Sequence, residues 1–252
     1  MIEKADNAGQ LTHKETARFV CDLMHRLILH HGLWFAEIKH QMGTARALAM
    51  LAAASERSFG IQLKNLGEEL GFTLEDGIPS FLLEMEPEKL SALRDRLAKN
   101  WLVNDGVWFQ TVEFTEGMNE AKRCNDSCWA QFSPVEASCI KNFLQLPEQP
   151  GLGGLRRALG FRIYESINEQ SIIEDTEKSF IFQMNKCRVQ VARNRKGLAD
   201  YPCKSAGLVE YAYFAKTIDR RIATECISCP PDEHPDDYFC AWRFTLTEEG
   251  QE

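Results

Sequence analysis

Hydrophobic residues recur every three or four positions through the first half of the chain, which is the spacing of one face of an α-helix. The pattern runs from Glu15 to about Phe59 and includes Leu23 and Leu27. A second region, from Glu86 to Trp101, has the same spacing, and Pro87 stands where helices commonly begin. The first half of the chain is therefore predicted to be helical.

An internal repeat lies within this helical half. The segment GLWFAEIKHQMGTARA, residues 32–47, aligns without a gap with GVWFQTVEFTEGMNEA, residues 106–121. The offset is 74 residues throughout, as between Trp34 and Trp108 (108 minus 34). This self-similarity predicts a duplicated helical unit. The paired Trp-Phe positions are interpreted as core aromatics, and a ligand held between them is the alternative.

The pattern changes after the turn-forming segment PEQPGLGG, residues 147–154. From Phe180 the stretch FIFQMNKCRVQVARN is predicted to be one long strand with Cys187 on one face. A helix follows Pro202, and RIATECISC and DYFCAWRFTLT are predicted as two further strands. The fold class is α+β: a helical region with an internal duplication over residues 1–160, then an antiparallel sheet with a packed helix and a cysteine metal site over residues 161–252.

Composition and charge narrow the classes of partner. The chain has 252 residues, 44% of them hydrophobic, and a formal net charge of -8. An acidic chain is a poor candidate for binding nucleic acid or an anionic membrane, which both require basic surface. The longest apolar run, Ala47–Ala54, is shorter than the roughly 20 residues of a membrane span and predicts a buried helix. Because its first residues are polar, the chain is expected to be cytoplasmic. Whether it is a monomer or a homodimer is left open.

Nine cysteines in a cytoplasmic chain favour metal ligands, catalytic groups or buried thiols over disulfides. Cys226 and Cys229 form a CxxC pair, which is half of a tetrahedral zinc site, and Cys240 opens the next predicted strand. Cys203 is the best candidate for a fourth ligand. The alternatives for that position are Cys187, His234 and Asp232. The remaining group of Cys124, Cys128 and Cys139 is interpreted as thiols buried in the core.

The segments around these cysteines resemble the 4-vinyl-reductase domain, a small-molecule-binding module that carries a zinc ion. The resemblance lies in DYPC at residues 200–203, in TECISC and in FCAWRF. It implies that Cys203, Cys226, Cys229 and Cys240 bind the ion. That family has a glutamate at the place of Cys226, so the set here is richer in thiolate, which favours zinc or, as the alternative, an iron-sulfur cluster.

The same half of the chain is similar to the L-2-amino-thiazoline-4-carboxylic acid hydrolase family. The matching features are Lys186-Cys187, Cys203 and the strand with Cys240-Ala-Trp-Arg-Phe. Cys187 is the candidate nucleophile because basic neighbours lower the pKa of a thiol. Glu210 is the candidate general base or amine-orienting group, and Arg188 would bind a substrate carboxylate. The alternative for Cys187 is a buried strand residue.

These observations lead to one leading prediction and one alternative. The leading prediction is a zinc-binding protein whose α+β domain binds a small molecule. The alternative is a hydrolase of small carbon-nitrogen or thiazoline bonds that uses Cys187.

Overall fold

The computed structural model describes residues 5–197 and 200–247 of the chain. It contains two compact units, Met1–Ser80 and Phe81–Glu252. This division differs from the boundary at residue 160 that the change of pattern predicts, because α4 and α5, which carry the second copy of the repeat, pack in the same unit as the sheet. Within the described residues no helix is both long and apolar enough to cross a membrane.

The first unit is a pair of long helices followed by a short ribbon. Its helices are α1 (His13–Met42) and α2 (Thr44–Leu70), and its strands are β1 (Leu74–Glu75) and β2 (Ile78–Pro79). Helix α1 begins at a capping box, in which Glu15 accepts from the backbone N–H of Thr12 at 2.9 Å. The apolar run of residues 47–54 is helical as predicted, but only Ala47 in it is buried, so the prediction of a buried helix is wrong for the rest.

The duplication is visible in the bounds of the helices. Helix α4 (Pro87–Glu116) repeats α1 with each end shifted by 74 residues, and α5 (Met118–Phe143) repeats α2. The two hairpins turn at Gly43 and Gly117, whose φ angles of 82° and 94° favour glycine. Trp34 and Trp108, by contrast, are 58% and 67% exposed, so interpreting them as core residues is wrong.

The remaining helices are short except for the one that packs on the sheet. They are α3 (Ser80–Leu83), α6 (Gly151–Leu159), α7 (Arg188–Asn194) and α8 (Lys204–Ile218). The sheet contains β3 (Glu169–Ile173), β4 (Ser179–Lys186), β5 (Ile222–Ser228) and β6 (Cys240–Leu246) in the order β3-β4-β6-β5. Each neighbouring pair of strands is antiparallel, which confirms the predicted sheet with a packed helix. The prediction missed β3.

The core lies between one face of this sheet and the helices α5 and α8. Phe180 and Phe182 of β4 are opposite Phe244 and Trp242 of β6, and all four side chains are buried. Helix α8 packs against the ring of Trp242 at Gly207, where any Cβ would clash with the indole. The glycine therefore sets how closely the helix approaches the sheet.

The predicted single strand through Cys187 is wrong, because the chain changes from strand to helix at that residue. Strand β4 ends at Lys186, opposite the first residue of β3, and its other partner begins at Cys240. Among the described residues, no neighbouring strand pairs with the chain beyond Lys186. The backbone N–H of Arg188 donates to Asn168 Oδ1 at 2.9 Å, and α7 starts there with Cys187 as its N-cap residue.

Candidate functional site

A cavity of about 610 Å³ lies inside the second unit. Its walls come from α4, α5, α7 and α8 and from the adjoining ends of β4 and β6. Four cysteines line it: Cys187, Cys203, Cys229 and Cys240. Segments far apart in sequence therefore bring thiols to one surface, and three of the four predicted ligands, Cys203, Cys229 and Cys240, are among them.

Two of these thiols are in contact, and a third is near them. The Sγ atoms of Cys203 and Cys229 are 3.5 Å apart, and Cys240 is close enough to Cys229 to influence its pKa. The two thiols meet because the start of α8 is bonded to the loop after β5. Cys203 is the N-cap residue of α8, and the backbone N–H of the next residue, Lys204, donates at 2.9 Å to the carbonyl of Pro230, which follows Cys229. For comparison, sulfur ligands of a tetrahedral zinc ion are separated by about 3.8 Å, given a Zn–S bond of about 2.3 Å.

The fourth predicted ligand, Cys226, does not line the cavity. It is half-buried on β5 and is opposite Trp242 in the strand register. Within residues 5–197 and 200–247, no group of three or more His, Cys, Asp or Glu side chains is arranged so that it could hold a metal ion. The sulfur pair of Cys203 and Cys229 thus has a spacing close to that of zinc ligands, while a complete ligand set is not assembled.

The two non-cysteine alternatives for the fourth ligand have other partners. Asp232 forms an ion pair with Lys204 at 2.7 Å. His234 contacts Asp200, with 3.1 Å between Nε2 and Oδ2, and its Nδ1 is 2.8 Å from the carbonyl oxygen of Pro235. These contacts hold the loop after β5 against the segment before α8.

Hydrogen bonding between the thiols shifts the pKa values of Cys203 and Cys229 in opposite directions. A hydrogen bond with Cys229 lowers the pKa of Cys203, and the N-terminal end of α8 favours a thiolate in the same way. The pKa of Cys229 is raised by its hydrogen bonds with Cys203 and Cys240 and by burial. Of the two thiols in contact, Cys203 therefore ionises more readily than Cys229.

Cys187 lines the cavity, but its acidity differs from the expectation. Burial raises the pKa of Cys187 to about 12, although hydrogen bonds with backbone N–H groups of α7 partly oppose this effect. The basic residues around it in the sequence do not produce the lowered pKa that an activated nucleophile requires. Arg188, the predicted carboxylate-binding residue, also lines the cavity and is exposed.

Glu210, the predicted general base, lines the cavity and belongs to a buried charge network that the sequence did not reveal. Arg162 Nη1 donates to Glu210 Oε1 at 2.7 Å, and Tyr164 Oη donates to the same oxygen at 2.6 Å. Arg162 also donates through Nε and Nη2 to Glu136 Oε2, at 3.1 and 2.9 Å. Burial raises the pKa of Glu210, and the Arg162 charge opposes that rise.

Gln190 is a second residue that sequence reasoning missed. Its side chain is buried, donates to the carbonyl of Tyr201 at 2.9 Å and accepts from the N–H of Tyr201 at 2.7 Å. The same Nε2 is 3.6 Å from Cys203 Sγ. Gln190 therefore joins α7 to the segment that carries Cys203. A glutamine in a short polar helix gives no sequence signal for this role.

The remaining predicted thiols have a different environment. Cys124, Cys128 and Cys139 are exposed on α5, so their interpretation as core thiols is wrong. The buried face of α5 instead carries Trp129, Glu136 and other residues that pack toward α8.

Fold and site together define an α+β domain in which two long helices and an antiparallel sheet enclose a thiol-lined cavity. The sequence model of a protein family, described as "Family of unknown function (DUF6125)", matches residues 83–246. This match covers more than half of the chain, so the protein belongs to that family. Searches of curated proteins and of solved structures find no significant match.

Proposed function

We propose that this protein binds a small molecule in the cavity of its second unit and holds a zinc ion through the thiols in the cavity wall. One observation carries the proposal: the sulfurs of Cys203 and Cys229 are in contact, with Cys240 near them, in the wall of a cavity. A cavity of about 610 Å³ is within the range of known ligand sites, roughly 300–1,000 Å³. Clustered cysteine thiolates are the ligands that zinc prefers.

Cys226 and Cys187 are the candidates for completing the ligand set. Cys226 stands in the place that the family resemblance implies, and Cys187 lines the cavity beside the other three thiols. Either one would make a four-sulfur site that ties α8 to the β5–β6 loop, which is a structural role for the ion. With only three sulfurs bound, the remaining position would be open to a ligand in the cavity.

Metal content of the purified protein tests the zinc site. We expect about one zinc per chain in the wild type and a large loss of zinc in Cys229→Ser. Comparing Cys226→Ser with Cys187→Ser identifies the fourth ligand, and Cys139→Ser is the matched control because that thiol is exposed. Less than about half an equivalent in the wild type would contradict the site, and a coloured protein would indicate iron.

A second candidate is a hydrolase of small carbon-nitrogen or thiazoline bonds that uses Cys187. It is favoured by the presence of Cys187, Arg188 and Glu210 on one cavity surface. Because the pKa of Cys187 is about 12, a bound substrate or the ion would have to promote its ionisation. Alkylation of Cys187 by iodoacetamide at neutral pH, followed by peptide mass analysis, measures this. A rate no faster than that of Cys139 would refute an activated nucleophile.

A further inference from the structure

The cavity wall on α4 alternates aromatic and acidic side chains. Four residues spaced four apart all face the cavity: Trp101, Asp105, Phe109 and Glu113. The residues 74 positions earlier in the first copy are Leu27, His31, Phe35 and Lys39. Helix α1 of the first copy thus has the same length as α4, with His31 and Lys39 in place of the two acids. The two acids belong only to the copy that lines the cavity, so helix formation does not require them.

Glu210 brings an unbalanced charge to the same cavity. The residue is only 9% exposed, and its Oε1 accepts both of the hydrogen bonds from Arg162 and Tyr164. Its Oε2 accepts none from the described residues. Arg162 is shared with Glu136, so that one guanidinium faces two carboxylates and the network carries a charge of minus one when both are ionised. A buried charge in excess of its counter-charge is costly, and a cation in the cavity would relieve that cost.

Asp105 is a second acceptor at the cavity that lacks a partner. It is half-buried, and within the described part of the chain it forms neither a hydrogen bond nor an ion pair. Burial raises the pKa of Asp105, and no basic group opposes the rise. The hydroxyl of Tyr201, also in the cavity wall, is buried and has no hydrogen-bond partner among the described residues. This hydroxyl can donate or accept, whereas the oxygens of Asp105 and Glu210 only accept when they are ionised.

Aromatic rings surround these acceptors. The ring centroids of Trp101 and Trp129 are 5.7 Å apart, and that of Tyr164 is 6.0 Å from Trp101. Such rings bind both apolar groups and cations. Basic side chains also line the cavity, at Arg188 and Arg193 on α7 and at Lys196 after it; Arg188 and Lys196 are exposed and Arg193 is half-buried beside the ring of Tyr201. Glu210 is buried more deeply than any of these bases, and desolvation strengthens its influence relative to theirs.

We propose that the cavity selects an organic amine: an apolar, ring-bearing molecule whose ammonium group is bound by Glu210 Oε2 and Asp105 between the aromatic rings. The inference rests on the proposed small-molecule-binding function and names the class of ligand.

Three ligands of one shape and different charge test the proposal: 3-phenylpropylamine, 3-phenylpropan-1-ol and 3-phenylpropanoate. Isothermal titration calorimetry on the full chain at pH 7 measures each. We expect the protonated amine to bind about tenfold or more tightly than the alcohol, and the carboxylate to bind most weakly. Glu210→Gln and Asp105→Asn should each reduce the ratio of amine to alcohol affinity. Glu177→Gln, which removes an exposed acid outside the cavity, should leave that ratio unchanged.

The outcomes separate this inference from the function on which it rests. Equal binding of amine and alcohol, or an amine preference that survives both cavity substitutions, would overturn the ligand class while leaving the cavity a binding site. Binding of none of the three ligands, together with a protein free of zinc, would overturn both the inference and the proposed function. Circular dichroism of each variant shows that a changed affinity is not due to unfolding.

Discussion

Asp219 offers a quantitative test of how the second unit is held together. Its buried carboxylate lies at the end of α8 and accepts from the backbone N–H of Gly151, the first residue of α6, at 2.8 Å. It also accepts from the backbone N–H of Arg221 and from Nε and Nη2 of that side chain, at 3.1, 3.0 and 2.7 Å. These bonds join α6 to α8 across 68 residues of sequence.

The magnitude follows from the pKa. Burial by itself would raise the pKa of Asp219, but the hydrogen bonds from Arg221 and Gly151 lower it from 3.8 to about 2. Since one pKa unit corresponds to about 1.4 kcal/mol, ionised Asp219 stabilises the folded state by about 2 kcal/mol. Because the folded-state pKa is the lower one, this stabilisation is fully present above pH 4 and is lost as the pH falls from 4 toward 2.

We therefore expect Asp219→Asn to lose about 2 kcal/mol of unfolding free energy at pH 7. The difference from wild type should shrink as the pH falls below 4, because the carboxylate is then protonated in the unfolded state while it stays ionised in the folded state down to about pH 2. Urea denaturation followed by circular dichroism at pH 7, 4 and 3 measures the difference. Asp236→Asn, an exposed acid in the β5–β6 loop, is the control. An undiminished loss at pH 3, or no loss at pH 7, would refute the reasoning.

Three further predictions concern the core, the charge network and the metal. Gly207→Ala should destabilise the protein by about 1–2 kcal/mol in urea denaturation, because the clash with Trp242 outweighs the gain in helix propensity. Gly153→Ala is the control: its Cβ meets nothing within 4 Å, so the change should be neutral or stabilising. Arg162→Leu should cost about 3–5 kcal/mol at pH 7, because it leaves two buried carboxylates without their cation. The loss should be smaller at pH 4, because burial raises the pKa of Glu210 and that carboxylate is then more readily protonated; an equal loss at both pH values would contradict this. Removal of metal with a chelator should lower the melting temperature in differential scanning calorimetry and zinc should restore it; an unchanged melting temperature would contradict a structural ion.

The second copy of the repeat has taken on a role that the first copy cannot share. Both copies keep the turn glycine and the buried alanine after it, Ala47 and Ala121. At the cavity-facing positions, however, a leucine is replaced by Trp101 and a histidine by Asp105. The family match begins at residue 83, just before α4, and the first copy lies outside it. The helical hairpin is thus common to both copies, while the cavity wall belongs to the second.

Local patterns were sufficient to predict most elements of the fold. Helical spacing, Pro87 at a helix start and alternation in the last two strands depend only on near neighbours, so the sequence predicts them directly. The 74-residue offset predicts the duplication for the same reason, since both copies contain the same local signals. The prediction was wrong at Cys187, because alternating valines cannot show that the part of the chain described by the structure offers no partner strand beyond Lys186.

Only the tertiary structure decided which side chains meet. The sequence marked Cys203, Cys229 and Cys240 as candidates, but the contact between Cys203 and Cys229 depends on where α8 begins relative to the β5–β6 loop. Arg162 meets Glu136 and Glu210 across 26 and 48 residues, and no local pattern encodes such a pairing. Short-range periodicity determines secondary structure, whereas a buried charge network and a cavity wall depend on how several elements pack together.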